Sequence, residues 1–237
     1  MEDKNLHNLT HRRGFLGTLA AGAAAIGAAT IASPLAAAAE VTMGATAYPE
    51  DADAWFAKIK GKHRIIYDVP VPNSLMPFAW SKVFLLTNAA TGTPEKENNV
   101  VVVFRHEGIP YAFQDQIWAK YKFGEMFHIN DPETKAASVR NMHWKPKPGA
   151  FQLPGLGTVD LSYSSLQDSG VMFCVCDMAM TVYSAVVAGN GGNAADIKKE
   201  WIAGLVPGVQ VVPSGVWAVG RAQEHNCAYC YAGGKEA

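Results

Sequence analysis

An uninterrupted apolar run at residues 100–104, four valines followed by a phenylalanine, constrains the fold of this chain more than any other stretch. A strand with one face in solvent alternates apolar and polar side chains, and this run contains no polar position. A strand covered on both faces is typical of a parallel sheet, because the helices that connect parallel strands pack on the faces of the sheet. The run therefore predicts an α/β domain.

Further apolar runs and a series of helical stretches extend this prediction along the chain. Strands are predicted at residues 63–69, 100–104, 171–176, 209–212 and 227–232. Helices are predicted at residues 51–58, 76–90, 112–123, 160–168, 178–188, 194–203 and 216–225. Strands that alternate with helices predict a three-layer domain with a mainly parallel, five-stranded sheet. The glycine-rich fingerprints of phosphate-binding loops do not follow these strands.

The first 39 residues have the basic, apolar and small-residue parts of an export signal, in that order. Arg12 and Arg13 resemble the paired arginines of the twin-arginine type. The alternative is an uncleaved anchor, but the run is weakly apolar and ends in Ala-x-Ala sites near Ala39. We therefore expect a periplasmic protein. The rest of the chain is predicted to form an N-terminal arm at 40–62, one domain at 63–232 and a tail at 233–237.

Charge and hydropathy argue against two classes of function. The chain has a net charge of −1, and removal of residues 1–39, which hold three basic and two acidic side chains, leaves −2. Because the sequence has no basic patch, binding to nucleic acid is not expected. No second apolar stretch is long enough to span a membrane, so no membrane association is expected after cleavage of the signal.

Cys176 is the first candidate for chemistry, because it ends a predicted strand and directly precedes a predicted helix. Reactive groups in open α/β sheets gather at the carboxyl ends of strands, and the start of a helix favours a thiolate. Cys174 is predicted to point to the same face of the sheet and is an accessory candidate. The alternative is that both are small buried apolar residues, since free cysteines are commonly buried.

Polar residues that follow neighbouring strands are candidates for the same edge of the sheet. Arg105 and His106 come directly after the valine-rich strand and would supply a cation or hydrogen-bond donors to the Cys176 sulfur. The alternatives are a solvated salt bridge between Arg105 and Glu107, and a purely structural role for His106. Asn73, after the first strand, is an accessory candidate at the rim.

Residues 124–158 interrupt the alternation of strands and helices, because prolines and glycines are frequent there. A loop of this length inside a compact domain is often functional or mobile. The segment carries several polar and aromatic side chains: His128, Arg140, Asn141, His143 and Trp144. Two interpretations stay open at this point. The segment is either an insertion that covers the site or forms a subunit contact, or a surface loop without a role.

Four phrases of the sequence occur together in a recognisable order. They are residues 103–110 (VFRHEGIP), 118–121 (WAKY), 173–177 (FCVCD) and 205–216 (LVPGVQVVPSGV). In this order they resemble exported members of the DsrE/DsrF-like family of sulfur-oxidation proteins, over about residues 63–232. The resemblance implies a small flavodoxin-like α/β fold and assembly into homo-oligomers. It also implies a sulfur atom carried as a persulfide on a strand-end cysteine, the position of Cys176.

A sulfur carrier or a sulfurtransferase is therefore the first functional hypothesis. Cys176 would be the nucleophile, with Arg105 and His106 as the groups that hold it ionised. Its partners would be small sulfur compounds or a redox protein. The chain departs from the plain family pattern in three places, which are Cys174, the 124–158 insertion and the Cys227-x-x-Cys230 pair.

A metal or haem site is the first alternative. Cys227, Cys230 and His225 are ligand types at a spacing that metals accept, with Cys174 and Cys176 as a further pair. Residues three apart on a strand face opposite sides, which argues against a four-cysteine site within one subunit. The sequence C-x-x-C-H of covalent c-type haem attachment is missing. A disulfide or two buried thiols is the plainer interpretation of this pair.

The last alternative is a non-catalytic assembly subunit. Six tryptophans and the aromatic side chains of the insertion are of the kind that protein interfaces use. Hydrolysis by a serine nucleophile is not expected, because no G-x-S-x-G elbow occurs.

Overall fold

The structure, a computed structural model, describes residues 52–234. The predicted export signal, the first part of the predicted arm and the last three residues lie outside this range. None of the helices within it combines the length and apolar character needed to cross a membrane. The described residues form three layers, with helices on both faces of a central sheet.

Five parallel strands form the central sheet, and two short ones form an antiparallel pair outside it. The central strands are β1 His63–Val69, β2 Asn98–Phe104, β5 Val171–Cys176, β6 Gln210–Val212 and β7 Ala228–Tyr231, and the small pair is β3 Gln152–Leu153 with β4 Gly157–Thr158. The order across the sheet is β6-β5-β2-β1-β7. The predicted five-stranded, flavodoxin-like arrangement of layers is confirmed, although this order differs from that of flavodoxin itself.

The described residues contain eight α-helices. They are α1 Ala52–Phe56, α2 Met76–Ala90, α3 Asp115–Tyr121, α4 Phe123–Met126, α5 Tyr163–Asp168, α6 Asp177–Ala188, α7 Ala194–Ala203 and α8 Gly215–Glu224, with 3₁₀ segments at Glu95–Glu97 and His106–Ala112. The helix predicted at 112–123 is shorter than expected. It begins after Gln114, whose backbone is extended, and it ends before Lys122, whose backbone is left-handed.

Helix α8 lies on the opposite face of the sheet from the other long helices, as the order of the connections requires. From β1 through β2 and β5 to β6 the chain steps across the sheet in one direction, and it then returns over three strands to β7. Crossover connections between parallel strands are almost always right-handed. A reversal of direction therefore moves the connecting helix to the opposite face. There α8 packs beside α1.

Each face of the sheet has its own hydrophobic core. The larger core includes Val102 and Phe104 of β2 together with side chains of α2 to α7. The smaller core includes Val101 and Val103 of the same strand together with side chains of α1 and α8. Alternate residues of β2 thus contact opposite layers, which explains why residues 100–104 include no polar side chain.

Candidate functional site

The carboxyl ends of β5 and β6 mark the point where the chain changes faces. Helix α6 follows β5 on the side of the larger core, and α8 follows β6 on the opposite side. In open α/β sheets ligands bind in the crevice that opens at such a switch point. A crevice of about 320 Å³ lies here. It is lined by Arg105, His106, Cys176, Met178, Ala179, Val182, Tyr183, Ser214, Gly215 and Val216.

Cys176 is both the last residue of β5 and the N-cap of α6. Its Sγ accepts a hydrogen bond from the backbone N–H of Ala179, with 3.2 Å between the two atoms. This donor and the beginning of a twelve-residue helix place partial positive charge beside the sulfur. The residue is only 6% exposed, but it lines the crevice. A small reagent can therefore reach the sulfur from one side.

Arg105, directly after β2, is held by an acidic residue of the neighbouring strand. Asp68 of β1 accepts hydrogen bonds from Nε of Arg105 at 2.7 Å and from Nη2 at 2.9 Å. The Tyr229 hydroxyl donates to the same carboxylate at 2.9 Å. The hydrogen bond from Arg105 to Asp68 is the main reason that the pKa of Arg105 is raised. The alternative of a solvated pair with Glu107 is wrong, because the partner is the buried Asp68.

Gly215, the first residue of α8, lets the Arg105 side chain pass the start of that helix. A Cβ atom at this position would collide with Cβ and the following carbons of Arg105. The side chain of Arg105 is thus fixed at its tip by a carboxylate and along its stem by a backbone. Its position beside Cys176 depends on three different strand ends.

His106 lies at the same crevice and is exposed. Its backbone has a φ of 49°, in the left-handed region that non-glycine residues rarely adopt. The ring meets the Tyr183 ring edge-on, with 6.0 Å between their centroids. Burial raises the pKa of Tyr183 to about 12, so its hydroxyl stays protonated near neutral pH. The structure thus brings Cys176, Arg105 and His106 together at one opening.

Cys174 does not share the environment of Cys176. It is fully buried in the smaller core, whereas Cys176 packs against the larger one. The two side chains, predicted to share a face of the sheet, thus pack in different cores, and Cys176 differs from Cys174 in being the N-cap of α6. Burial raises the pKa of Cys174 well above its usual range. Cys174 is therefore an apolar core residue, as one sequence-based alternative proposed.

Asn73, the accessory candidate, contacts the end of the chain and does not line the crevice. Its side-chain amide donates to the carbonyl oxygens of Ala232 and Gly233, both at 3.2 Å. Its backbone N–H donates to the Tyr111 hydroxyl. Asn73 therefore attaches the segment after β7 to the segment after β1, which is a structural role.

The three candidate metal ligands near the C-terminus do not converge. Cys227 is buried in the smaller core, whereas Cys230 packs on the opposite face, beside Trp80. His225 stacks on Phe56, with 6.5 Å between ring centroids. Burial raises the pKa of Cys227 to about 11 and also raises that of Cys230, which disfavours the thiolates that metals require.

No group of three or more metal-binding side chains occurs within residues 52–234. All four cysteines, which lie in this range, are free thiols. The alternation of a strand places positions 227 and 230 on opposite sides, as the sequence argument expected. A metal site within one subunit therefore does not fit these residues.

No residue of the insertion lines the crevice, and the segment is partly buried and partly exposed. Its buried Asn141 donates to the carbonyl oxygens of Tyr111 and Phe113 at 2.7 and 2.9 Å. His143 is completely buried and stacks on the Phe78 ring, with 3.5 Å between centroids. Only the beginning of the segment approaches the crevice, where Phe127 contacts Tyr183 at a centroid distance of 5.0 Å. The buried part of the insertion thus belongs to the larger core, whereas residues 132–136 and 154–158 are exposed.

Two features of the site were not predicted from the sequence. Asp68 is an acidic residue inside an apolar strand, and that position was the signal that it has a charged partner. The apolar wall of the crevice was also missed. Met178 and Val182 are four residues apart on α6, and the latter is 53% exposed. Their spacing indicated a helix, but it did not indicate that they line a crevice.

Searches against protein-family models and against curated proteins found no significant match. Among solved structures, the chain is similar to MTH1491, a protein of unknown function from Methanobacterium thermoautotrophicum. The two are 15% identical, the alignment covers 71% of this chain and 98% of that one, and the TM-score is 0.39. A score this low carries no argument, so the fold assignment depends on the strand order and the layers described above.

Proposed function

We propose that this protein accepts sulfane sulfur on Cys176 and passes it on, as a carrier or a sulfurtransferase. The observation that carries the proposal is the position of the Cys176 sulfur, which lies at the switch-point crevice and accepts a backbone hydrogen bond at 3.2 Å. Arg105 and His106 line the same crevice. The resemblance of residues 63–232 to DsrE/DsrF-like proteins supports the same chemistry.

The proposed step needs no oxidant or metal. The Cys176 thiolate attacks the outer sulfur of a persulfide, R–S–SH, and a new S–S bond forms at Cys176. The bond between the two donor sulfurs breaks, and R–S⁻ leaves with the electron pair. The outer sulfur and its hydrogen are then on Cys176 as a persulfide. A second thiolate reverses the same exchange when the sulfur is passed on.

The residues around Cys176 stabilise negative charge on its sulfur and supply hydrogen-bond donors. The Ala179 N–H and the beginning of α6 stabilise negative charge on the sulfur, both before attack and after release. Arg105 adds a fixed positive charge, but Asp68 compensates most of it. His106 is the more available donor, since it is exposed at the rim.

Intact-mass spectrometry after treatment with polysulfide tests the proposal. We expect the folded protein to gain one sulfur atom that a reducing thiol removes. Cys176→Ser is expected to abolish the gain. Cys230→Ser is the matched control, because Cys230 is a partly exposed thiol on another part of the sheet. If Cys176→Ser gains sulfur as the wild type does, and Cys230→Ser does not, the proposal is refuted.

The cellular context of this chemistry is part of the proposal. Residues 1–39 have the composition of a twin-arginine signal, which supports export in the folded state and a periplasmic location. Cell fractionation with intact-mass measurement of the mature protein tests this point. Recovery of the full-length chain from the cytoplasm alone would contradict it.

A further inference from the structure

We infer that the sulfur donor is an organic persulfide with an apolar body, R–S–SH, and that its R group lies on the wall formed by α6 and α8. This inference depends on the proposed function of Cys176 and specifies its substrate class. It combines three observations, which are the charge balance at the crevice, the apolar wall, and the volume of about 320 Å³.

The charge balance disfavours a small dianion such as thiosulfate. Two of the three guanidinium nitrogens of Arg105, Nε and Nη2, donate to the Asp68 carboxylate, whose negative charge offsets that of the guanidinium. His106 is the other basic residue in the lining, and no acidic residue is present there. The crevice therefore stabilises the single negative charge on sulfur that the exchange requires. It does not provide enough positive charge to balance a dianion. A strongly hydrated dianion would lose more hydration free energy on entering the crevice than its contacts there would return.

The rest of the crevice lining is mainly apolar. Met178, Val182 and Tyr183 contribute from α6, and Val216 contributes from α8. Val182 is 53% exposed and Val216 is 68% exposed, so the wall continues to the mouth of the crevice. Exposed apolar side chains around a reactive group form a surface that an apolar ligand covers. Hydrogen disulfide, with only two sulfur atoms, would leave nearly all of this apolar surface exposed to water.

The volume agrees with an organic donor. A crevice of about 320 Å³ lies at the lower end of the range for small-molecule sites, about 300–1,000 Å³. With the outer sulfur at Cys176, the R group extends between the beginnings of α6 and α8 toward Val182 and Val216. After the exchange R–S⁻ leaves through the same mouth. No further group has to enter for atoms and electrons to balance.

A series of alkyl persulfides of increasing chain length tests the inference, with hydrogen disulfide as the inorganic reference. The rate of sulfur gain on Cys176 is measured by quenched intact-mass spectrometry and divided by the rate of each donor with free cysteine. We expect the normalised rate to rise about twofold to fourfold for each methylene that the wall covers. The upper figure corresponds to about 0.8 kcal/mol for a fully buried methylene.

Near-isosteric variants locate the effect. The double variant Val182→Thr with Val216→Thr is expected to lower the rate of loading from the longest donor, relative to the rate from hydrogen disulfide, by about threefold or more. Val186→Thr is the matched control, because Val186 is equally exposed on α6 but does not line the crevice. Both positions of the double variant are exposed, so folding is retained.

The outcomes separate the two proposals. If no donor loads Cys176, the proposed function fails. If hydrogen disulfide loads Cys176 and the normalised rate does not depend on chain length, the function stands and the inference about the donor is overturned. The inference is also overturned if the double variant still shows the dependence on chain length and Val186→Thr does not, because the R group then binds elsewhere.

Discussion

Acid should destabilise the folded chain through one buried histidine of the insertion. His143 is enclosed between the rings of Phe78 and Phe151, with 3.5 and 5.1 Å between centroids. Its Nδ1 lies 3.0 Å from the carbonyl oxygen of Leu161, which only accepts, so Nδ1 carries the hydrogen. Nε2 is then a buried acceptor with no partner among the described residues. Burial lowers the pKa of His143 from 6.5 to about 3.

The sign and size of the effect follow from proton binding. Between pH 6.5 and 3 the unfolded chain binds a proton at position 143 and the folded chain does not, so stability falls as the pH falls. The limiting slope is about 1.4 kcal/mol per pH unit. Between pH 7 and pH 4.5 the loss from this residue is about 2.5 kcal/mol. Such a loss is a large part of the stability of a typical domain.

The assay compares the wild type with His143→Phe. Free energies of unfolding are measured by urea titration at several values between pH 7 and pH 4.5. The variant keeps an aromatic ring in the stack but cannot titrate, so the difference between the two curves isolates residue 143. We expect the free energy of unfolding of the wild type, relative to that of the variant, to decrease by about 2.5 kcal/mol over this range. Parallel curves would show that His143 is solvated or already protonated, and would refute the reasoning.

Three further substitutions test the support around Arg105. Asp68→Asn leaves the guanidinium without its carboxylate and is expected to cost about 2–3 kcal/mol in urea titrations, because Asp68 is buried; an unchanged midpoint would contradict this. Gly215→Ala drives a Cβ into the Arg105 side chain and should cost about 1–2 kcal/mol. Gly220→Ala, on the same helix with open space around it, should instead stabilise by about 0.5–1 kcal/mol. Equal effects of the two glycine substitutions would contradict the steric argument.

The sheet was predictable because its evidence is local. The run of four valines shows that both faces of β2 are covered. The ends of the strands, at Phe104 and Cys176, follow from the change of periodicity there. Parallel strands then bring their carboxyl ends to one edge. For this reason the proximity of Arg105, His106 and Cys176 required no knowledge of side-chain packing.

Features that depend on contacts between distant segments were not predictable. The partner of Arg105 is set by the register of β1 against β2, which no local pattern encodes. The burial of His143 depends on a proline-rich segment packing against α2, and such composition normally indicates a surface loop. The different surroundings of Cys174 and Cys176 depend on how the helices pack against the end of β5. Each of these is decided by tertiary structure.

The position of the crevice is a consequence of topology rather than of the cysteine. The chain reverses direction at β6, and right-handed connections then require α6 and α8 to leave the sheet on opposite faces. A gap between the beginnings of these helices follows for any sequence with this strand order. Whatever residue ends β5 will cap α6 and face that gap. The choice of cysteine there, with an N–H donor 3.2 Å from its sulfur, is therefore the part of the site that the fold does not require and that chemistry must explain.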